Sequence, residues 1–280
     1  MFIEPMKCSH CHKTGRPGEL GFGVRGDGES YVIHCECGNQ IPVPNARDQL
    51  LLSQNELCRL GAIANYNERG TIQIIPGACE SVTFRRPIDF ICKAYLVPDT
   101  LVHLKEDWIQ KESMVILSST LRDKPPDKQL VTINWQIYGL VDIDALPSWY
   151  VLFCGAVTNG VKLLSKPALL DYAASFEAFL ADFLKVFLTQ LYGESLALFL
   201  LRRNWRVEDR CKDLLYLATG FKMSDRSDVY LPWDQDVRKP MDKVRHGEHL
   251  SVDKDDAERA HQAVYQAIRW IESLPIKRGN

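Results

Sequence analysis

Four cysteines in two close pairs near the start of the chain constrain the fold more than any other feature. They are Cys8-Ser-His-Cys11 and Cys35-Glu-Cys37-Gly38, with 23 residues between the pairs. Two thiolates across a tight turn chelate one ion, and two such turns complete the tetrahedron that zinc prefers. Gly38 permits the sharp knuckle that a single intervening residue demands. Four sulfur ligands fill the coordination sphere and leave no position for a reactive water. The expected group is therefore one structural Zn2+ on Cys8, Cys11, Cys35 and Cys37. His10, His12 and His34 are alternates should one sulfur not reach. Unmetallated surface cysteines and an iron–sulfur cluster are the competing readings of the same spacing.

The rest of the first 44 residues fits a zinc ribbon. Glycines at 15, 18, 21, 23, 26 and 28 punctuate it, and Ser30–His34 reads as a strand entering the second knuckle. So small a module buries too little apolar surface to fold alone, and the metal supplies the difference. Its charge is close to balanced: Lys7, Lys13, Arg16 and Arg25 stand against Glu4, Glu19, Asp27, Glu29 and Glu36. That weakens any inference from ribbon to nucleic acid and leaves protein contact or a structural role open.

The other five cysteines, at 58, 79, 92, 154 and 211, are scattered among apolar neighbours. An odd total of nine argues against a disulfide framework and for a reducing, cytoplasmic setting. The net charge of −2 gives no global field for a polyanion, so any nucleic-acid contact must use a local patch. The longest aliphatic or aromatic run, Leu196 to Leu201, is six residues, far short of the roughly 18 needed to span a bilayer. No membrane partner is expected, and the N-terminus, with Glu4 and two cysteine-bearing turns, does not have the character of a signal peptide.

After the Pro42-Val43-Pro44 linker, residues 46–66 carry helically spaced leucines. From about 70 to 141, short β-branched and aromatic runs alternate with Gly, Pro and Asp turns. They are Thr71–Ile75, Ser81–Arg85, Ile91–Val97, Met114–Ser119 and Leu130–Val141, the strands of a small antiparallel β unit. Val131, Ile133, Trp135 and Ile137 would share one face. From Pro147 the period becomes helical: Trp149–Leu163, Ala168–Tyr192 ended by Gly193, Ser195–Trp205, and Val207–Gly220 capped by Gly220. A polar loop is expected over 221–238. A last helix over about 252–274 places Ala257, Ala260, His261, Val264, Ile268 and Ile271 on one stripe. The fold class is thus multidomain α+β: a zinc ribbon over 1–44, a mainly antiparallel β domain over 45–142, and an all-α helical bundle over 143–280.

The sequence Met241-Asp-Lys-Val-Arg-His-Gly247, followed by a polar loop and a long amphipathic helix, is the most suggestive in the helical half. With Leu146-Pro-Ser-Trp149 and Ala173-Ala-Ser-Phe-Glu-Ala-Phe-Leu180 upstream, it resembles the HEPN superfamily (higher eukaryote and prokaryote nucleotide-binding domains). The resemblance covers roughly residues 145–275. It implies a small all-helical bundle of a kind that is often dimeric and often a metal-independent ribonuclease of prokaryotic antiphage defence or toxin–antitoxin systems. RNA is then the implied ligand, with a protein partner or a second copy held through the bundle.

The family's motif is an arginine, a polar residue, a few further residues, then a histidine often followed by glycine. Asp242, His246 and Gly247 match, but the arginine position holds Met241. Metal-independent cleavage needs a base for the 2′-hydroxyl and a cation for the phosphorane. His246 suits the first role. Arg245 and Arg238 are the candidates for the second, with Asp242 orienting, though neither arginine has the family's spacing. Adjacent helical residues project about 100° apart, which turns Arg245 away from the target of His246. Either a substitute arginine acts, or the chain is a non-catalytic relative that binds.

Without the flanking resemblance, His246-Gly247 reads as a helix C-cap. Glu177 is a solvated residue or a buried polar contact. Arg202, Arg203, Arg206, Arg210 and Lys212, with Trp205 beside them, form the strongest basic patch, but Glu208, Asp209 and Asp213 interleave as on an ordinary solvated face. Two readings of function result. One is an RNA-directed HEPN-like protein, nuclease or degenerate relative, with the ribbon and β unit sensing or recruiting. The other is a non-catalytic zinc-ribbon scaffold.

Overall fold

The computed structural model describes residues 6–7, 11, 14–15, 22–27, 30–35, 37, 40–42, 50–53, 55–99, 103–119, 130–248 and 251–275. The chain divides into two compact units, Met1–Ala145 and Leu146–Asn280. The boundary falls three residues beyond the expected 142/143 junction. The first 44 residues and the β domain, expected as two domains, group together in the first unit.

The first unit opens with the short hairpin β1 (Met6–Lys7) and β2 (Thr14–Gly15), then a three-stranded antiparallel sheet of β3 (Phe22–Asp27), β4 (Ser30–Cys35) and β5 (Gln40–Pro42). The leucine pattern over 46–66 is interrupted: Leu50 and Leu51 are helical and buried, and helix α1 (Glu56–Ile63) follows separately. Asn55 caps it by accepting from the Leu57 N–H at 2.9 Å, and Cys58, Leu60, Ala62 and Ile63 are buried. Strands β6 (Tyr66–Ile74), β7 (Cys79–Thr83), β8 (Phe90–Pro98), β9 (His103–Ile109), β10 (Ser113–Ser119) and β11 (Val131–Leu140) follow.

These six strands form two antiparallel sheets, ordered β6-β11-β8 and β7-β10-β9. One core joins both: Ile74, Ala94, Val131, Ile133, Trp135 and Ile137 from the first sheet, and Val82, Met114 and Ile116 from the second. The alternation expected in β11 is present, with Val131, Ile133, Trp135 and Ile137 all buried. Trp135 pairs opposite Gly70, and a Cβ on Gly70 would sit 2.6 Å from the Trp135 ring. Only glycine lets the indole lie across the neighbouring strand. Strand β9 is an addition to the expected set. Lys105, Glu106 and Asp107 hide it in the sequence, and it is an edge strand, where charge is the usual protection against stray pairing.

The second unit is helical, as expected. Helix α2 (Ser148–Val161) and α3 (Ser165–Tyr192) form an antiparallel hairpin, and α4 (Glu194–Arg203) follows Gly193. Helix α5 comprises Val207–Asp209, a wide π turn over Arg210–Leu214, and Leu215–Thr219, with Gly220 as its cap. Helix α6 comprises Ser227–Trp233, a second π turn over Asp234–Arg238, and Lys239–Arg245. Helix α7 is Lys254–Glu272, started by a reciprocal capping box between Asp253 and Asp256.

Helix α6 corrects the expected polar loop over 221–238. Val229, Trp233 and Val237, four apart, are buried, and Asp234 is the one polar residue of this stretch buried with them. Trp233 packs on Phe176 of α3 with ring centres 5.3 Å apart. Helix α7 buries the expected stripe, and His261 lies wholly inside against Phe153 of α2 and Tyr172 of α3. Among the described residues no helix is long and apolar enough to cross a membrane.

Candidate functional site

Helix α6 carries Arg238, Met241, Asp242 and Arg245 at spacings of three, four and seven, which puts them on one stripe. Together with Ala173, Phe176 and Glu177 of α3 and Trp233 and Val237 beneath, they line a shallow cleft. The floor is apolar and the rim is charged. Three of the four residues singled out by the motif therefore do converge, and so does Glu177.

The rim charges are mutually satisfied. Arg238 donates from Nε to Asp234 Oδ1 at 2.6 Å and from Nη1 to Asp242 Oδ2 at 3.0 Å, with Glu208 of α5 at 3.9 Å. Arg245 donates from Nη2 to Glu177 Oε1 at 2.6 Å. That decides the two readings of Glu177: it is a half-buried partner that ties α3 to α6. Lys239 joins Asp234 at 2.9 Å, and Lys212 joins Glu208 at 2.9 Å. The Lys212 hydrogen bond holds the Glu208 carboxyl below its ordinary range, against the opposing effect of burial. Four carboxylates thus meet four cations across two π turns, and wide turns of this kind recur where helices carry function.

Asp234, Glu208 and Trp233 were not singled out by the motif. The run Asp234-Gln-Asp-Val-Arg238-Lys-Pro-Met-Asp242 does hold the signal, two carboxylates each four residues from one arginine. Asp234 is only 6% exposed. Burial pushes its carboxyl up, but the Lys239 and Arg238 hydrogen bonds outweigh that and hold it below the ordinary value. A depressed carboxyl stabilises the fold above its unfolded value near pH 4, and that contribution is lost as the pH falls below it. Asp234→Asn should cost about 1–3 kcal/mol at neutral pH, as expected for hydrogen bonds to a charged group. It should also flatten the acid limb of stability, read by urea unfolding from pH 6 down to about pH 2.

His246 is placed differently. It is the C-cap of α6 (φ −84°, ψ 7°) and is exposed. Gly247 follows with φ 75°; its N–H reaches the Val244 carbonyl at 3.1 Å, and the Glu248 N–H reaches that of Lys243 at 2.9 Å. This is a Schellman cap, in which glycine takes the left-handed conformation. His246 is not among the residues that line the cleft. The cleft lining thus holds Arg238, Asp242 and Arg245 but does not include His246.

In the first unit, β1 and β2 pair Met6 with Gly15 and Lys7 with Thr14, so the link between them carries Cys8 and Cys11. Strand β4 ends at Cys35 and pairs with β5 through His34 and Gln40, so the link there carries Cys37. Cys11 thus lies between β1 and β2, and Cys37 between β4 and β5, each between two paired antiparallel strands. Cys11 and Cys37 are exposed, Cys8 lies outside the described residues, and Cys35 is described in its backbone alone. Among the described residues no group of three or more His, Cys, Asp or Glu could hold a metal.

No protein-family model, curated protein or solved structure matches the chain.

Proposed function

We propose that the chain is an HEPN-like RNA-directed protein of prokaryotic defence or toxin type, a degenerate relative that binds RNA without cutting it. The zinc ribbon and β unit serve as its sensing or recruiting part. One observation carries the loss of cleavage. Both arginines near the motif are engaged, Arg238 by Asp234 and Asp242 and Arg245 by Glu177, while His246 caps the helix away from the cleft lining. A cation held by two carboxylates has little field left for a phosphorane, and a base outside the cleft cannot share a proton path with it. Met241 at the family's arginine position points the same way.

Four thiolates at Cys8, Cys11, Cys35 and Cys37 would hold one Zn2+ with no open position, which supports a structural role for the ribbon.

The second reading, a non-catalytic scaffold that uses the bundle to dimerise or dock, has its own support. Val186, Tyr192, Leu196 and Phe199 on α3 and α4 are large, apolar and exposed.

The test is to incubate the purified chain with structured and single-stranded RNA, with no added divalent metal. The expected outcome is binding with intact RNA, and the same cell toxicity for the parent and for His246→Ala. Cleavage that His246→Ala abolishes would overturn the non-cleaving reading. A chain that leaves RNA both unbound and uncut while sedimenting as a dimer would favour the scaffold.

A further inference from the structure

The corner between α4 and α5 has chemistry that the cleft lacks. Arg202 and Arg203 close α4, and Trp205 and Arg206 form the link to α5. Trp205 is 70% exposed, the most exposed large apolar side chain described. The Arg206 guanidinium lies 5.3 Å from its ring centre. Phe199, 55% exposed, sits three and four residues before Arg202 and Arg203 and so shares their side of the helix. Burying a tryptophan is worth a few kcal/mol, and Trp205 leaves its ring open to a flat apolar ligand beside the arginines.

The basic patch of the sequence is sorted by the structure into two kinds. Arg210 is internal: it donates to the Asn204 carbonyl at 2.9 Å and the Leu201 carbonyl at 3.4 Å, closing the end of α4. Lys212 is spent on Glu208. Among the described residues, no carboxylate pairs with Arg202, Arg203 or Arg206. Of the interleaved acids, Glu208 is committed to Lys212 and Arg238, and Asp209 and Asp213 pair with none of the three arginines. Arg202, Arg203 and Arg206 are thus exposed on this face without a carboxylate partner among the described residues.

We propose that this corner is a binding surface for single-stranded nucleic acid. A base stacks on the open face of Trp205, opposite Arg206, and the flanking phosphates meet Arg202 and Arg203. Aromatic platforms among guanidinium groups suit single strands because every base has a π face, whereas a duplex keeps its bases stacked on each other. Arginine also stacks and forks onto phosphate oxygens in a way lysine does not. This inference rests on the RNA-binding reading above, but it places the contact on α4 and α5 and away from Asp242 and His246.

The test measures fluorescence anisotropy of the full chain with a labelled oligouridylate and oligothymidylate about twelve nucleotides long, and with the matching duplexes, over a range of salt. Trp205→Ala should weaken single-strand binding by about 5- to 150-fold with an unchanged melting temperature. Changing Arg202 and Arg203 together to Gln should reduce the slope of log affinity against log salt by about 1.4, at roughly 0.7 per phosphate contact. The same change at the exposed lysines 162, 166 and 185 should leave the slope alone. Uridylate and thymidylate binding alike shows that bases and phosphates suffice, and preference for uridylate adds a contact to the 2′-hydroxyl. If the parent chain binds the strand and Trp205→Ala binds it equally well, this surface is overturned while the RNA-binding reading stands. If the parent chain binds duplexes but no single strand at low salt, this surface falls alone; if it binds neither, both fall. Loss of self-association in Trp205→Ala, with strand binding intact, would assign the corner to a protein interface instead.

Discussion

Replacing Trp233 by alanine is expected to destabilise the helical unit by about 3–5 kcal/mol, the range for removing a large aromatic from a packed core. Trp233 is 2% exposed, packs at a tilt against Phe176 of α3 and Tyr230 of its own helix, and forms part of the cleft floor. It is the residue through which α6 is seated, with Val229 and Val237 as the smaller anchors one turn to either side. Most domains have only 5–15 kcal/mol in hand, so the loss should move the unfolding midpoint far enough to separate the two units. Urea unfolding followed by circular dichroism at the helical band should shift strongly. The transition of the first unit should stay in place, since its core of Ile74, Met114, Ile116, Ile133, Trp135 and Ile137 is its own. A shift below about 1 kcal/mol would mean that α6 is seated by its ion pairs and that the aromatic contact is incidental. Tyr230→Ala separates the two, because it removes a neighbouring aromatic that is only half-buried and should cost less.

What the sequence discloses of this fold depends on how each element is buried. Strand β11 announces itself because one face is core, so apolar and polar residues alternate without interruption from Val131 to Ile137. Helix α7 does so because its apolar stripe is continuous from Ala257 to Ile271. Helix α6 stays hidden. Its buried apolar residues Val229, Trp233 and Val237 are widely spaced, Pro232 lies inside it, and Asp234-Gln-Asp and Arg238-Lys supply the vocabulary of a loop. Arg238, at the end of the expected loop, shares a stripe with Asp242 and Arg245 only because the segment is helical. The engagement of the two arginines was not legible either. Glu177 is 68 residues from Arg245 in the chain, and only the packing of α3 on α6 brings the two together. The same holds for the basic patch. Spacing groups Arg202, Arg203, Arg206, Arg210 and Lys212, but only the tertiary structure shows which of them are already spoken for.

Substituting Cys37 by serine should abolish zinc binding and unfold the first 44 residues, with the helical unit untouched. The physical reason is the size of the module. Strands β3, β4 and β5 are six, six and three residues long, and β1 and β2 two each, too little sheet to close a core of its own. Metal ligation in such modules supplies an apparent 10–16 kcal/mol, and ligand loss removes most of it, because three thiolates neither neutralise nor enclose the ion as four do. Serine keeps the size of the side chain and lacks the thiolate, so the substitution isolates ligation from sterics. Metal analysis should find about one zinc per parent chain and far less in Cys37→Ser. Amide exchange should lose protection across β3 and β4 and keep it across α3 and α7. Visible absorbance with iron in place of zinc would assign the four thiolates to an iron–sulfur cluster. Full zinc content with unchanged exchange in the variant would remove Cys37 from the ligand set and leave the hairpins to be held by packing alone.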